Sequence, residues 1–205
     1  MIVKVCGMRQ AENIRRVEAL GIDWMGFIFW PRSSRFVSAV PDYLPQRARR
    51  VGVFVDAEIK DIVRHIRDFG LNAIQLHGHE SADYMKRLRE KCGGVSIIKA
   101  VSVAGRDDIA PFMTSGGVAD YLLFDTKCPT MGGSGQQFDW TVLEAYDGTA
   151  PFLLSGGIGP GDAALVKAFR HPRCIGIDLN SRFELAPGLK DADALAAFLQ
   201  ELQNP

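Results

Sequence analysis

The chain has 205 residues, of which 47% are hydrophobic and 23% charged, and its 24 basic side chains balance 24 acidic ones. This near-average composition excludes a disordered or fibrous chain, and the length suits one domain, which we expect to span residues 1–205. A net charge of zero argues against a protein that binds nucleic acid or a membrane surface through clustered Lys and Arg.

The cysteines and the start of the chain predict a cytoplasmic protein. No cysteine pair has the C-x-x-C spacing, and no His/Cys spacing suits tetrahedral zinc, so we expect a reducing compartment and no metal site. Lys4 interrupts the first apolar run too early for a signal-peptide core, and no run approaches the roughly 18 apolar residues of a membrane span.

Eight short apolar runs recur along the chain. Most are rich in Val, Ile, Leu or Phe on both alternating faces, as in parallel strands that are covered on both sides. The runs occupy residues 2–6, 24–29, 51–55, 73–76, 95–101, 121–124, 152–154 and 174–179.

Segments with helical periodicity lie between these runs. The clearest is residues 59–69, and a final helix follows Asp191 and Asp193, acids that favour a helix N-terminus. Weaker patterns predict helices over residues 10–20, 80–91, 105–113, 139–146 and 160–169. The connection after the second run contains Pro31, Pro41 and Pro45 and is poorly helical.

Eight alternating strands and helices predict an α/β fold of the closed (β/α)8 TIM-barrel type. Closure removes the edge strands, and the helices cover the outer faces of the strands. An open doubly wound sheet is the alternative, but no G-x-G-x-x-G follows the first strand, where a dinucleotide fingerprint would lie.

Unusual residues concentrate at the carboxyl ends of the predicted strands, which is where TIM barrels carry out their chemistry. In chain order they are Lys4 and Cys6, Arg35, His77, Asp125, Ser155-Gly156-Gly157, and Asp178 with Asn180-Ser181. Their convergence on one face favours function over the structural role that each residue alone would suggest.

Cys6 and Asp125 can flank one substrate as a thiolate base and a carboxylic acid. Cys6 alone is more often a small buried apolar residue, and the interpretation depends on Asp125 lying on the opposite side of the barrel. Such chemistry requires pKa values moved toward neutrality, by burial for the carboxyl and by nearby positive charge for the thiol.

Two glycine-rich segments are candidates for contact with a ligand. Gly156 and Gly157 precede a predicted helix after the seventh strand, where barrels of this type commonly bind phosphate through backbone N–H groups. Gly132-Gly133-Ser134-Gly135 lies in the longest connection, beside the proposed acid, and could fold over a substrate or be a solvated loop.

Four more polar residues have two interpretations each. Arg35 can pair with a carboxylate or lie on the surface. Lys4 faces the barrel interior by strand parity, where Asp178 on the eighth strand is its natural partner, and this pair is more often structural than catalytic. His77 is either an interior hydrogen-bonding residue or a substrate contact.

Ordered motifs along nearly the whole chain resemble the phosphoribosylanthranilate isomerase family of tryptophan biosynthesis. Their ordered combination, rather than any single motif, is specific. The motifs are Val3-Lys4-Val5-Cys6-Gly7-Met8, Gly26-Phe27-Ile28-Phe29, Pro31-x-Ser33-x-Arg35, Val51-Gly52-Val53-Phe54-Val55, Gln75-Leu76-His77-Gly78, Asp125-Thr126-Lys127, Gly132-Gly133-Ser134-Gly135, Phe138-Asp139-Trp140, Leu154-Ser155-Gly156-Gly157 and Pro187-Gly188-x-Lys190-Asp191.

The resemblance implies a cofactor-free Amadori rearrangement of a phosphorylated aminosugar, N-(5-phosphoribosyl)anthranilate, into 1-(2-carboxyphenylamino)-1-deoxyribulose 5-phosphate. By this similarity Asp125 is the general acid that opens the furanose ring, and Cys6 is the general base that removes the C2 proton. Arg35 holds the anthranilate carboxylate. The phosphate is held by Gly156, Gly157 and Ser181.

Two features depart from the family pattern. Arg182 replaces the glycine of the usual Asp-Val-Ser-Ser-Gly-Val-Glu motif, so the backbone there follows another path or the guanidinium assists phosphate binding. The connection after the second strand is also shorter than the family pattern implies.

Two other functions fit a barrel with this composition. One is a different sugar-phosphate enzyme, such as an indole-forming synthase or an isomerase that also serves histidine biosynthesis. The other is a non-catalytic scaffold, which would need none of Cys6, Asp125 and Arg35. The oligomeric state is open between a monomer and a homodimer.

Overall fold

A computed structural model of the chain describes residues 1–113, 118–127 and 137–204. Eight parallel strands form a closed barrel in chain order, in which the first strand pairs with both the second and the eighth. They are β1 (Ile2–Val5), β2 (Trp24–Ile28), β3 (Arg49–Phe54), β4 (Ala73–Leu76), β5 (Ser96–Val103), β6 (Tyr121–Thr126), β7 (Phe152–Leu154) and β8 (Cys174–Leu179). The predicted TIM barrel is confirmed, with every predicted strand in place.

Six α-helices lie among the described residues. They are α1 (Ala11–Ala19), α2 (Ile59–Phe69), α3 (Ala82–Lys91), α4 (Arg106–Ile109), α5 (Ala163–Ala168) and α6 (Ala192–Gln203). The helix α2 has the apolar face that predicted it, and α6 has the predicted N-terminal acids. Asp191 caps α6 by accepting from the N–H groups of Asp193 and Ala194. Of these helices, none has the length and apolar character needed to cross a membrane.

Three predicted helices differ from the observed structure. Residues 139–146 contain a 3-10 helix (Trp140–Ala145). The segment 105–113 forms only α4 followed by a 3-10 turn (Ala110–Phe112), and 160–169 forms a 3-10 turn (Pro160–Asp162) before α5. Prolines 111 and 160 lie in the two 3-10 turns, and proline withholds an N–H from the α-helical ladder.

The connection from β2 to β3 contains no helix, as its prolines predicted. A buried carboxylate takes the place of helical hydrogen bonds: Glu18 of α1 accepts from the Tyr43 hydroxyl and from the backbone N–H groups of Arg47 and Ala48. These hydrogen bonds attach the irregular segment between β2 and β3 to α1.

A hairpin after β8 was not predicted. It consists of β9 (Glu184–Ala186) and β10 (Leu189–Lys190), which are antiparallel and joined by Pro187 and Gly188. Gly188 has φ +80°, a conformation that glycine adopts without strain. The hairpin is fixed to α1 because the Asn13 side chain bonds both the N–H and the C=O of Lys190.

Apolar side chains fill the inner part of the barrel, and polar ones follow toward the carboxyl ends of the strands. The inner apolar cluster is Trp24, Val51, Ala73, Ile98, Ala100, Leu123 and Leu153. Because side chains of the same parity share a face, Gln75, Asp125 and Ser155 continue the inward rows of β4, β6 and β7. The strand pattern therefore places polar side chains at the carboxyl-terminal mouth of the barrel and apolar side chains deeper inside it.

Candidate active site

Cys6 follows β1 and is almost fully buried, at 3% exposure. Its backbone N–H donates to the Leu179 carbonyl at 2.9 Å, which fixes the thiol beside the end of β8. Burial raises the pKa of the Cys6 thiol, and the charge of Asp178 acts in the same direction, whereas Lys4 and Lys190 act to lower it. The resting side chain is therefore a thiol at neutral pH.

Lys4 and Asp178 form the ion pair that strand parity predicted. Lys4 Nζ lies 2.7 Å from Asp178 Oδ1, with the lysine wholly buried, and the Ser155 hydroxyl donates to Asp178 Oδ2 at 3.3 Å. Burial acts to lower the pKa of Lys4, but attraction to Asp178 and Cys6 outweighs burial and leaves that pKa raised. The pair joins the first strand to the last just below Cys6.

Asp125 lies in β6, separated from β1 by β7 and β8 on the shorter way around the barrel. One carboxylate oxygen, Oδ1, accepts from the Thr126 N–H at 2.9 Å, and the other lies 3.4 Å from His77 Nε2. Both side chains are partly exposed, at 14% and 16%, so they open into the barrel mouth. The structure thus brings His77 to the proposed acid.

The His77 ring is oriented from behind by Gln75. The Gln75 amide nitrogen lies 3.0 Å from His77 Nδ1, so the other ring nitrogen, Nε2, faces Asp125. Gln75 Oε1 is buried and has no hydrogen-bond partner among the residues that the structure describes. Gln75 thus orients His77, a role that the sequence analysis did not predict, because it named Gln75 only within the Gln75-Leu76-His77-Gly78 motif.

Arg35 lies in the segment after β2 and binds a carboxylate of the protein itself. Its Nε lies 2.9 and 3.0 Å from the two Glu184 oxygens, and its Nη2 lies 2.6 Å from Oε2. Arg35 thus has a carboxylate partner within the protein, Glu184 of the hairpin, and its binding of the substrate carboxylate stays a prediction. Arg35 remains close to the reaction centre, because its Cδ would lie 2.8 Å from a Cβ built on Gly7.

Lys190 and Asn180 complete this corner of the site. Lys190 Nζ donates to Glu184 Oε1 at 2.6 Å and to Asn180 Oδ1 at 2.7 Å, and the lysine side chain is wholly buried. Attraction to Arg35 and Lys190 holds the pKa of Glu184 below its usual value against the opposing effect of burial. Sequence reasoning missed the role of Glu184 and quoted Lys190 only within the Pro187-Gly188-x-Lys190-Asp191 motif.

The loops after β7 and β8 lie together, as a shared phosphate site requires. Gly156 and Gly157 have φ +89° and +67°, and a Cβ on Gly156 would overlap the Thr126 hydroxyl. Ser181 begins a 3-10 turn (Ser181–Phe183), and Arg182 Nε lies 3.1 Å from the position of a Cβ on Gly159. Arg182 is exposed and has no hydrogen-bond partner in the described part of the chain.

The proposed flexible loop, residues 132–135, lies outside the described residues. Gln137, the first described residue beyond it, donates to the Gly157 carbonyl at 3.2 Å and to Asp162 Oδ2 at 2.6 Å. The chain after β6 is therefore tied to the loop after β7.

Polar groups gathered at the carboxyl ends of a closed parallel barrel place the chain among the TIM-barrel enzymes. The family model described as "N-(5'phosphoribosyl)anthranilate (PRA) isomerase" matches residues 3–201. The N-(5'-phosphoribosyl)anthranilate isomerase of Phocaeicola vulgatus is 49% identical over 204 residues, covering 100% of this chain and 98% of that protein. The chain belongs to the phosphoribosylanthranilate isomerase family.

Solved structures agree with this assignment. The phosphoribosyl anthranilate isomerase of Thermotoga maritima is 32% identical with a TM-score of 0.83, and 99% of each chain is covered. Another phosphoribosyl anthranilate isomerase, in complex with reduced 1-(o-carboxyphenylamino)-1-deoxyribulose 5-phosphate, is 30% identical with a TM-score of 0.81 and the same coverage. The resemblance, the barrel and the isomerase class of enzyme are confirmed; the roles of individual residues stay predictions.

Proposed function

We propose that this chain, as a single cytoplasmic domain without a cofactor, converts N-(5-phosphoribosyl)anthranilate into 1-(2-carboxyphenylamino)-1-deoxyribulose 5-phosphate. The observation that carries the proposal is the presence of Cys6 and Asp125 at the mouth of one barrel whose family relatives are these isomerases. The analogue bound in a related structure has the carboxyl and phosphate groups that this reaction requires.

The acid step belongs to Asp125. Its carboxyl proton passes to the furanose ring oxygen while the bond from that oxygen to C1 breaks, and the substrate nitrogen forms a double bond to C1. His77 at 3.4 Å orients this carboxyl, and the partial exposure of Asp125 leaves it open to a ligand.

The base step belongs to Cys6. The thiolate takes the C2 proton, and the electron pair of the broken C–H bond forms the C1–C2 double bond and neutralises the iminium nitrogen. The enolamine then tautomerises to the ketose. The neighbouring cations Lys4 and Lys190 favour the thiolate that this step requires.

The two charged ends of the substrate hold it between these groups. Arg35 takes the anthranilate carboxylate through Nη1, because Glu184 engages its Nε and Nη2. The N–H groups at Gly156 and Gly157, with Ser181, take the phosphate. Fixing both ends orients the ring oxygen and C2 toward the acid and the base.

The test is turnover of freshly generated phosphoribosylanthranilate, followed by loss of its anthranilate fluorescence, in the wild type and in Cys6→Ala and Asp125→Ala. We expect fast wild-type turnover and a loss of at least about 100-fold in kcat for each variant, with folding checked by circular dichroism.

Other results would assign the chain elsewhere. A folded wild type that binds phosphate without turning over the substrate would indicate another sugar-phosphate enzyme. A folded wild type that neither binds phosphate nor turns over the substrate would favour a scaffold. Near-normal kcat in Asp125→Ala would contradict the assignment of the acid.

A further inference from the structure

Two buried ammonium groups lie near the Cys6 thiol, and they differ in how their charge is balanced. Lys4 has its own carboxylate, Asp178, at 2.7 Å. Attraction to Lys4 is the strongest of the effects that lower the pKa of Cys6, but Asp178, which binds Lys4, opposes part of it.

Lys190 belongs to a cluster with a surplus of positive charge. Its carboxylate, Glu184, also binds Arg35 through Nε and Nη2, so one anion is shared between two cations. All three side chains are largely buried, at 0% for Lys190, 5% for Glu184 and 13% for Arg35. A buried cluster with one unmatched positive charge stabilises a further anion beside it.

The cluster lies directly beside the end of β1. A Cβ built on Gly7 would lie 2.8 Å from Arg35 Cδ, 2.9 Å from Asn180 Oδ1 and 3.4 Å from Lys190 Nζ, so the ammonium adjoins the residue after Cys6. Asn180 holds it there through its side-chain oxygen at 2.7 Å and its carbonyl at 3.3 Å. Asn180 and Glu184 together therefore fix the position of the Lys190 ammonium.

We infer that Lys190 is a positioning residue of the reaction, whose fixed ammonium stabilises the thiolate form of Cys6. The inference rests on the proposed function, in which Cys6 is the base. The thiol proton leaves to water before the C2 proton is taken, and Lys190 keeps its own proton throughout.

The surroundings of Lys190 set the pH range over which this holds. Glu184 faces it from β9, Cys6 from the end of β1 and Arg35 from the segment after β2, and Lys4 with Asp178 lies behind Cys6. Burial lowers the pKa of Lys190 to about 8, while Glu184 and Cys6 act to raise it and Arg35 acts with burial. The ammonium is present at neutral pH and is lost as the pH rises past about 8.

Thiol titration without substrate tests the inference. The rate of alkylation of Cys6 by iodoacetamide is measured against pH, with the Cys6 peptide resolved by mass spectrometry from those of the other cysteines. The variants are Lys190→Met, Lys190→Arg and Lys190→Gln, the last of which keeps donors for Asn180 and Glu184 if the methionine variant does not fold.

Lys99→Met is the matched control. Lys99 is also buried and pairs with a buried carboxylate, Glu80, at 2.8 Å, but on β5 and the segment before α3. The Lys99→Met variant shows how the loss of any buried ammonium, even one far from the thiol, affects alkylation.

We expect Lys190→Met and Lys190→Gln to slow Cys6 alkylation about tenfold at pH 7.5, where the Lys190 ammonium of the wild type is present. Lys190→Arg restores most of the rate, and Lys99→Met leaves the rate unchanged. In turnover assays, Lys190→Met lowers kcat by a similar factor with little change in KM.

An unchanged alkylation rate at pH 7.5 in a folded Lys190→Met or Lys190→Gln variant, or an equal slowing in Lys99→Met, would overturn the inference. Its failure is distinguishable from failure of the proposed function. A wild type without isomerase activity would refute the function, whereas the thiol titration reports on Lys190 and Cys6 whatever the substrate is.

Discussion

At the scale of single residues, the space around the Cys6 thiol depends on Gly26 of β2. A Cβ on Gly26 would lie 2.6 Å from Cys6 Sγ and 3.1 Å from Cys6 Cα. The backbone of Gly26 is not in the left-handed region, so space rather than conformation requires a glycine here. The position of the Cys6 thiol, the proposed base, thus requires that residue 26 on the neighbouring strand has no side chain.

Replacing Gly26 by Ala forces the thiol away from its position. We expect Gly26→Ala to lower the free energy of unfolding by about 1–3 kcal/mol, as overpacked sites do, and to lower kcat at least about tenfold. Urea unfolding and the fluorescence assay measure the two effects. Gly93→Ala is the control, because a Cβ there meets no atom within 4 Å. Equal effects of the two substitutions would contradict the steric argument.

Individual residues were predictable from the sequence where regular strands fix their direction. Lys4 and Asp178 occupy paired positions on neighbouring strands, so parity alone predicts their contact. The cluster of Arg35, Glu184 and Lys190 was not predictable in this way, because its members come from an irregular segment and a short hairpin. No periodic pattern relates residues 35 and 184, and only the folded chain shows that Arg35 already has a carboxylate partner.

At the scale of elements, the parallel strands carried the strongest signal, since each is an apolar run long enough to recognise. The strands of the β9–β10 hairpin have three and two residues, too few for an alternating pattern, and only the Pro187-Gly188 turn marked the place. The 3-10 helix at Trp140–Ala145 shares its apolar spacing with a short α-helix, so periodicity could not distinguish them.

The loops after β7 and β8 meet where Arg182 stands against Gly159, and the family pattern has glycine in place of Arg182. We expect Arg182→Gly to raise KM about three- to tenfold with little change in kcat, because the lost guanidinium contact is made equally in the ground and transition states. Steady-state kinetics measures both constants. KM should also become less sensitive to salt in the variant. An unchanged KM would remove the idea that this guanidinium assists phosphate binding.

At the scale of the whole molecule, one ion pair joins β1 to β8 and another joins α1 to α6. Lys4–Asp178 lies inside, between β1 and β8, and Arg16–Asp193 lies outside, between α1 and α6. The first pair is buried, whereas the side chains of the second are 56% and 91% exposed. Water screens only the outer pair. The two ion pairs therefore contribute differently to stability, although both join the first strand–helix unit to the last.

Breaking each pair on one side measures that difference. Asp178→Asn leaves the Lys4 ammonium buried without a carboxylate, and we expect a loss of about 3 kcal/mol in the free energy of unfolding. Arg16→Gln breaks the outer pair and should cost less than about 1 kcal/mol. Both values come from urea unfolding at pH 7. If Asp178→Asn lowers the free energy of unfolding no more than Arg16→Gln does, the buried pair does not stabilise the junction of β1 and β8.

The link between residues 4 and 178 also has a consequence for how the enzyme is made. It spans 174 positions. Lys190, which we infer to stabilise the Cys6 thiolate, lies even further along the chain. A nascent polypeptide leaving the ribosome exposes Cys6 first, yet the ammonium groups that favour its thiolate are fixed only once β8 and the hairpin have been synthesised and the hairpin has docked on Asn13. Incomplete chains therefore carry an unactivated thiol, and catalytic competence arrives together with closure of the barrel.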